Sequence, residues 1–291
     1  MHGVLVIDKP AGRSSASVVE EVKRVLGVDR AGHGGTLDPL ATGVLPICLG
    51  GGTKLAQYLL ADDKAYEATG ELGIEMDTLD RTGAVTATRE VAVTEAAMRG
   101  VLAARLGDQD QVPPMYSAIK QQGVRMYHRA RNGEHVERAS RRIRIDRLEL
   151  LAFEPPRFRV AIECSKGTYV RSIVADVGSD LGCGAHLAEL RRTRSGRFSI
   201  AQAVPLAGLY AVDVAAHLIP CGKATGLPAV VVKPELHATI WSGNPLPIEH
   251  FTSETYPLFQ LLDEAGRLLA IVHSEGGRIR YDRVFPDHAT S

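Results

Sequence analysis

Between residues 142 and 164 the chain alternates apolar and charged side chains twice over, a rhythm that calls for half-buried β-strands. Ile143 and Ile145 alternate with Arg142, Arg144 and Asp146. Phe158, Val160, Ile162 and Cys164 then alternate with Arg157, Arg159 and Glu163. Helical stripes stand on either side. Val18, Val19, Val22, Val25 and Leu26 share one helical face, with Ser17-Val-Val-Glu20 as a capping box and Gly27 as a stop. Thr94 is placed to cap a helix running to Leu106, and Ile173, Val174, Val177 and Leu181 form an inward stripe after Arg171. These strands and helices follow no regular βαβ rhythm, so an α+β fold is expected rather than a doubly wound one.

Past residue 226 helical periodicity gives way to short strands, read at Val230–Val232, Ala238–Trp241, Tyr256–Leu262, Arg267–His273 and Arg278–Phe285. The 291 residues suffice for about two domains, and the change of texture divides them into 1–225 and a small β-rich module over 226–291. The longest uncharged runs, Pro39–Thr53 and Phe198–Val212, carry Gly and Pro and fall short of the ~20 apolar residues of a membrane span. No secretory signal is visible, and the four cysteines lie far apart without a CxxC, so a cytoplasmic chain with reduced thiols and no membrane contact is expected. Neither HExxH, GxxxxGK[ST] nor GxGxxG occurs, which removes zincin, ATP-loop and dinucleotide readings and leaves no metal site to assign.

Formal net charge is zero, yet charge is segregated. Residues 120–147 hold nine Lys/Arg against three acids, and residues 61–95 hold nine acids against three bases. Arginine predominates, and Tyr116, Tyr127 and Tyr169 sit in or beside the basic stretches. Guanidinium groups bind phosphate and stack on bases, and aromatic rings among them suit looped RNA. A solvated basic face is the plainer reading of the same residues. If the cations serve RNA, a positive face should surround the site.

One loop stands out as that site. In Arg30-Ala-Gly-His33-Gly34-Gly-Thr-Leu-Asp38-Pro-Leu-Ala-Thr-Gly43-Val-Leu-Pro46, glycines and prolines bracket a single carboxylate. Pro39 biases Asp38 away from helical geometry, and the glycines allow close backbone approach. Asp38 is thus either a displayed nucleophile or base on a rigid loop, or an aspartate closing a turn.

Four blocks in order carry a resemblance: Gly3–Ser15 with its Asp8-Lys9-Pro10-Ala11-Gly12, Gly32–Cys48, Tyr116-Ser-Ala-Ile-Lys120 with Gly123 and Tyr127, and Gly167-Thr-Tyr-Val-Arg171 running to Leu190-Arg-Arg192. They resemble the bacterial tRNA pseudouridine synthase B family, which isomerises the uridine at position 55 in the T-loop of tRNA. The chain departs from that family at Gly34, where a threonine is usual.

The resemblance implies a mixed, largely antiparallel catalytic sheet with a PUA-like C-terminal module. It implies a redox-neutral isomerisation that needs no cofactor, with tRNA, through its T-arm stem-loop, as the partner. It further implies an enzyme that works as a monomer without an obligatory protein partner. Asp38 would be the essential carboxylate, acting at C1′, on the base, or by proton removal toward a glycal. Arg171 would pair with it and favour its ionised form. Tyr66 would stack on the flipped uracil and serve as base for the C5 proton. Tyr169 and Leu190 would line the uracil pocket, and His33 would fill the space left in the T-loop. The basic segment at about 120–150 would close on RNA. Two other readings stand beside this one: a guide-RNA-dependent relative, and an RNA-binding tRNA-folding chaperone.

Overall fold

The computed structural model describes residues 1–115, 120–121, 124–125, 138–251 and 256–286. The apolar run after Gly3 forms β1 (Gly3–Lys9), almost wholly buried. Helix α1 (Ser15–Leu26) follows, and Gly27 ends it in the left-handed region at φ 63°. Its cap is Ser14, whose side chain accepts from the Ser17 N–H, three residues before the box read from sequence. The earlier start places Ser15 inside the helix and against the Asp38 loop, where it is buried.

The segment read as one loop from Arg30 to Pro46 contains β2 (Ala31–His33) and runs into the eight-residue buried strand β3 (Thr42–Leu49). Gly43 and Pro46 mask β3 in the sequence, but β1 pairs along it from Gly43 to Leu49 and supplies the ladder. Then come α2 (Ala56–Leu60), β4 (Lys64–Leu72), a small hairpin of β5 (Ile74–Met76) and β6 (Val85–Thr88), α3 (Glu95–Ala104) and β7 (Gly107–Gln111). The two-residue strands β8 (Lys120–Gln121) and β9 (Val124–Arg125) pair with each other. The alternating segments form β10 (Arg141–Glu154) and β11 (Arg157–Cys164), and α4 (Val170–Asp180), β12 (Ala185–Ser195), β13 (Phe198–Ser199) and β14 (Val204–Pro205) complete the large sheet and its cover.

Its strand order is β14-β1-β3-β12-β4-β11-β10-β7, with β2 on β3 and β13 on β12. Only the β14–β1 and β3–β12 pairings are parallel, so the fold is α+β with a mixed, largely antiparallel sheet. Helices α1 and α4 bury Val18, Val22, Ile173, Val174 and Val177 in its main core.

At the β3–β12 junction, Gly43 has φ +100°, and an added Cβ would fall on the backbone carbonyl of Arg192. Gly43→Ala should therefore destabilise the fold by about 2–4 kcal/mol, from left-handed strain plus overpacking, as measured by urea unfolding.

A second sheet of β15 (Ala229–Val231), β16 (Phe259–Leu262), β17 (Leu268–Glu275) and β18 (Arg278–Val284) follows. The strand expected at Ala238–Trp241 is instead a helical turn, His237–Trp241. Its i,i+4 rings, His237 and Trp241, approach at 5.6 Å between centroids, a contact that helical spacing provides and a strand does not. The second sheet rests on the first. Leu268, Ile271 and Phe285 pack with Val4, Val6, Val44 and Phe198, and Lys54 Nζ donates to Val284 O at 2.7 Å.

Candidate active site

The Asp38 loop leaves β2 and re-enters the sheet at β3, and three side chains fix it. Ser15 Oγ donates to Leu37 O at 3.0 Å and accepts from Leu37 N–H at 2.8 Å. Lys9 Nζ donates to the carbonyls of Pro10, Arg13 and Pro39 at 2.9, 2.6 and 3.3 Å. Arg192 donates from its guanidinium to the carbonyls of Gly35, Thr36 and Val44. A loop held this firmly presents its carboxylate in one place, as a reacting group requires.

Beside the loop lies a cavity of about 330 Å³ whose lining includes Asp38, Tyr66, Tyr169, Arg171, Leu190 and Arg192. Arg171, 4% exposed, brings Nε to 2.9 Å from Asp38 Oδ2. Its Nη1 donates to Thr78 O at 2.9 Å and lies 3.6 Å from Asp80 Oδ2. Asp80 is itself buried and accepts from Thr78 Oγ1 and from Thr82 N–H and Oγ1. One guanidinium therefore sits between two carboxylates, and only Asp38 of the two faces the cavity.

The electrostatics differ from a simple ion pair. Burial raises the Asp38 pKa above the ordinary carboxylate value, Arg171 pulls it back, and Asp80 raises it further, leaving it raised overall. The arginine favours the ionised form, as the resemblance implied, but offsets the desolvation without overcoming it. Burial likewise raises the Tyr66 hydroxyl, opposed by Arg192. Lys64, also on the cavity wall, is lowered to about 8 by burial.

Tyr169 immediately precedes α4. Its N–H donates to Gln111 Oε1 at 2.8 Å, and Arg141 lies over its ring at 5.5 Å. Leu190 is buried on β12 and completes the apolar wall. His33 sits apart, on β2 opposite Ile47, outside the cavity lining. At Gly34 a Cβ would meet Leu59 Cβ at 2.9 Å, so in this chain Leu59 occupies the space a threonine side chain would need.

Residues 23–170 match the N-terminal domain of the TruB family pseudouridylate synthases, and residues 171–218 match the tRNA pseudouridylate synthase B C-terminal domain. The tRNA pseudouridine synthase B of Pseudomonas fluorescens strain Pf-5 is 44% identical over 287 residues, covering 96% of this chain and 94% of its own. This chain belongs to the TruB family of pseudouridylate synthases. Its Aromatoleum aromaticum relative, also a tRNA pseudouridine synthase B, is 53% identical over 212 residues, 73% of this chain and 69% of its own. Among solved structures, a chain of a Cbf5–Nop10–Gar1 complex superposes with a TM-score of 0.78 at 27% identity, over 97% of this chain and 84% of that one.

For a TruB family enzyme, the sequence reading brought Asp38, Tyr66, Tyr169, Arg171 and Leu190 to one cavity and missed Asp80, Lys9, Lys64 and the structural part of Arg192. Asp80 lies in Thr78-Leu-Asp-Arg-Thr82, where flanking threonines are the one available hint of a capped turn. Tyr116, Gly123 and Tyr127 lie outside the described residues. The described end of the basic segment is largely compensated. Arg144 pairs with Asp146 at 2.7 Å and Asp63 at 3.5 Å, and Arg147 with Glu149 at 2.5 Å and Glu163 at 3.7 Å. These pairs are exposed and weak, so phosphate can displace them.

Proposed function

We propose that this enzyme converts the uridine at position 55 in the T-loop of tRNA to pseudouridine. It would act without a guide RNA, a cofactor or an obligatory protein partner, as a cytoplasmic monomer. The observation that carries the reading is the Asp38–Arg171 pair at the edge of a cavity walled by Tyr66, Tyr169 and Leu190. That is one ionisable carboxylate facing a pocket with aromatic and aliphatic walls, suited to a base turned out of its stack. The names of the relatives at 44% and 53% identity support tRNA as the substrate.

The chemistry balances without an external reactant. The N1–C1′ bond breaks with its electron pair left on the uracil, the base turns, and C5 bonds to C1′. C5 then loses a proton and N1 gains one. In this reading Asp38 meets the sugar, either by taking up positive charge at C1′ or by removing a proton toward a glycal, and both roles use the ionised form. Tyr66 stacks on the uracil and receives the C5 proton. Tyr169 and Leu190 bound the base, and His33, away from the cavity, meets the T-loop the base has left. Residues 1–225 serve as the catalytic domain and 226–291 as a PUA-like RNA-binding module.

The test uses purified protein, an unmodified T-arm transcript and no added cofactor or guide, with pseudouridine mapped by chemical probing. Product at the T-loop uridine is expected. Tight binding without product would instead support the tRNA-folding chaperone, and product only with added guide RNA would favour the guide-dependent relative.

A further inference from the structure

Arg192 has the largest fully buried side chain among the described residues, at 1% exposure. Guanidinium offers five N–H donors. Nε donates to Val44 O at 2.8 Å, Nη1 to Thr36 O at 3.2 Å and Nη2 to Gly35 O at 3.1 Å. The Arg192 backbone meanwhile pairs with Gly43. Main chain and side chain of one residue thus grip both ends of the Asp38 loop. Across the β4–β12 ladder Arg192 stands opposite Tyr66, and both side chains line the cavity. Among the described residues no carboxylate forms an ion pair with it. A buried cation without a counter-ion is unfavourable, and the phenol oxygen is the partner here that can become anionic.

We propose that Arg192 is a positioning residue for the isomerisation: it holds the Asp38 loop in one frame with Tyr66 on the neighbouring strand, and its cation favours Tyr66 in its proton-accepting form. The inference rests on Asp38 and Tyr66 being the reacting groups. In the step concerned, the C5–H bond breaks, its electron pair restores the C5–C6 double bond, and the proton passes to the Tyr66 oxygen. The groups facing that oxygen are Asp38 from the loop, Cys164 from β11 and Arg192 from β12, with Lys64 and Arg171 on the same cavity wall. Burial, Cys164 and Asp38 all hold the phenol protonated, while Arg192 opposes them through its charge.

The experiment is a single-turnover pH–rate profile on the T-arm transcript for wild type, Arg192→Lys, Arg192→Gln, Tyr66→Phe and Asp38→Asn. At pH 7, Arg192→Gln should bind transcript within about threefold of wild type and lose about thirtyfold in rate. The rising limb attributable to Tyr66 should move up by about half a pH unit in Arg192→Lys and about one unit in Arg192→Gln, so that the deficit shrinks at alkaline pH. A rate loss that is uniform across pH, with the limb unmoved, would reduce Arg192 to a structural residue and overturn the proposal. Should Arg192→Gln not fold, the ¹³Cζ resonance of Tyr66, assigned through its absence in Tyr66→Phe, decides. It should titrate at higher pH in Arg192→Lys than in wild type, and coincident titrations overturn the proposal. Asp38→Asn separates the two levels. If that variant turns over normally, the underlying site reading fails; if it is inactive while the Arg192 limb stays fixed, only the positioning role fails.

Discussion

Asp38→Asn should abolish turnover, with a loss of about 10⁴-fold or more in single-turnover rate, while transcript affinity stays within about tenfold of wild type. The asparagine keeps the shape of the side chain and a hydrogen-bond acceptor for Arg171, so the pocket keeps its form. It removes the charge that the proposed chemistry at the sugar would use. The stability readout points the other way. Asp38 has a raised pKa in the folded enzyme, so its stabilising contribution is complete below the unfolded value near 3.8 and is lost as pH rises through the folded value. At neutral pH the ionised carboxylate is therefore a burden on the fold, and the thermal midpoint of Asp38→Asn should equal or exceed that of wild type. Retained activity in this variant would remove Asp38 from the mechanism. A collapse of the midpoint would show that the carboxylate holds the loop rather than being held by it.

Arg171→Met should be the most damaging change outside Asp38. It leaves Asp38 and Asp80, both beside the lost guanidinium, without their shared cation in a poorly solvated site. Breaking a buried charge pair by removing one member costs about 3–5 kcal/mol, measurable by urea unfolding. The rate should fall about 10²–10³-fold at pH 7, because a neutral neighbour lets the Asp38 pKa rise further and depletes the ionised form. The sign is specific: Arg171 lowers the Asp38 pKa, so its loss must move the acid limb of the rate profile to higher pH. Arg171→Lys should recover part of the stability but not the geometry, since one ammonium cannot reproduce the separate guanidinium contacts with Asp38, Thr78 and Asp80. An acid limb identical to wild type in Arg171→Met would contradict the electrostatic account.

Legibility in the sequence followed the range of the forces involved. β10, β11 and α1 were readable because each records its own periodicity, and Gly27 because a left-handed stop is a local property. β3 was not readable: Gly43 and Pro46 break its pattern, and its strand geometry is imposed by β1. Asp38 was visible because glycine and proline frame it, whereas Arg171, Tyr66, Tyr169 and Leu190 entered as candidates only through the resemblance. Asp80 and Arg192 carried no sign of a part in the site. Asp80 meets Arg171 and Arg192 meets Gly35 across 157 residues of chain, and nothing near a charged side chain in sequence announces that distant partners will bury it. Arg192 entered the sequence reading only as the end of the Leu190-Arg-Arg192 block, with no role attached, and its contacts are internal.

The packing of the second sheet on the first bears on how the enzyme would come apart under heat. Val44 follows Gly43 on the strand that closes the Asp38 loop, and its side chain shares a cluster with Leu268, Ile271 and Phe285 from the far end of the chain. Tyr58 reaches Asp282, and Gln57 Nε2 donates to the same carboxylate at 3.1 Å, just ahead of the strand that carries Tyr66. Detaching residues 226–291 would bare Val4, Val6, Val44 and Phe198 to water, directly behind the Asp38 loop. Melting should accordingly be concerted, with calorimetric and van't Hoff enthalpies in agreement and no separate low-temperature endotherm for the C-terminal sheet. The distal module would then act as a thermal keystone for chemistry that it does not touch.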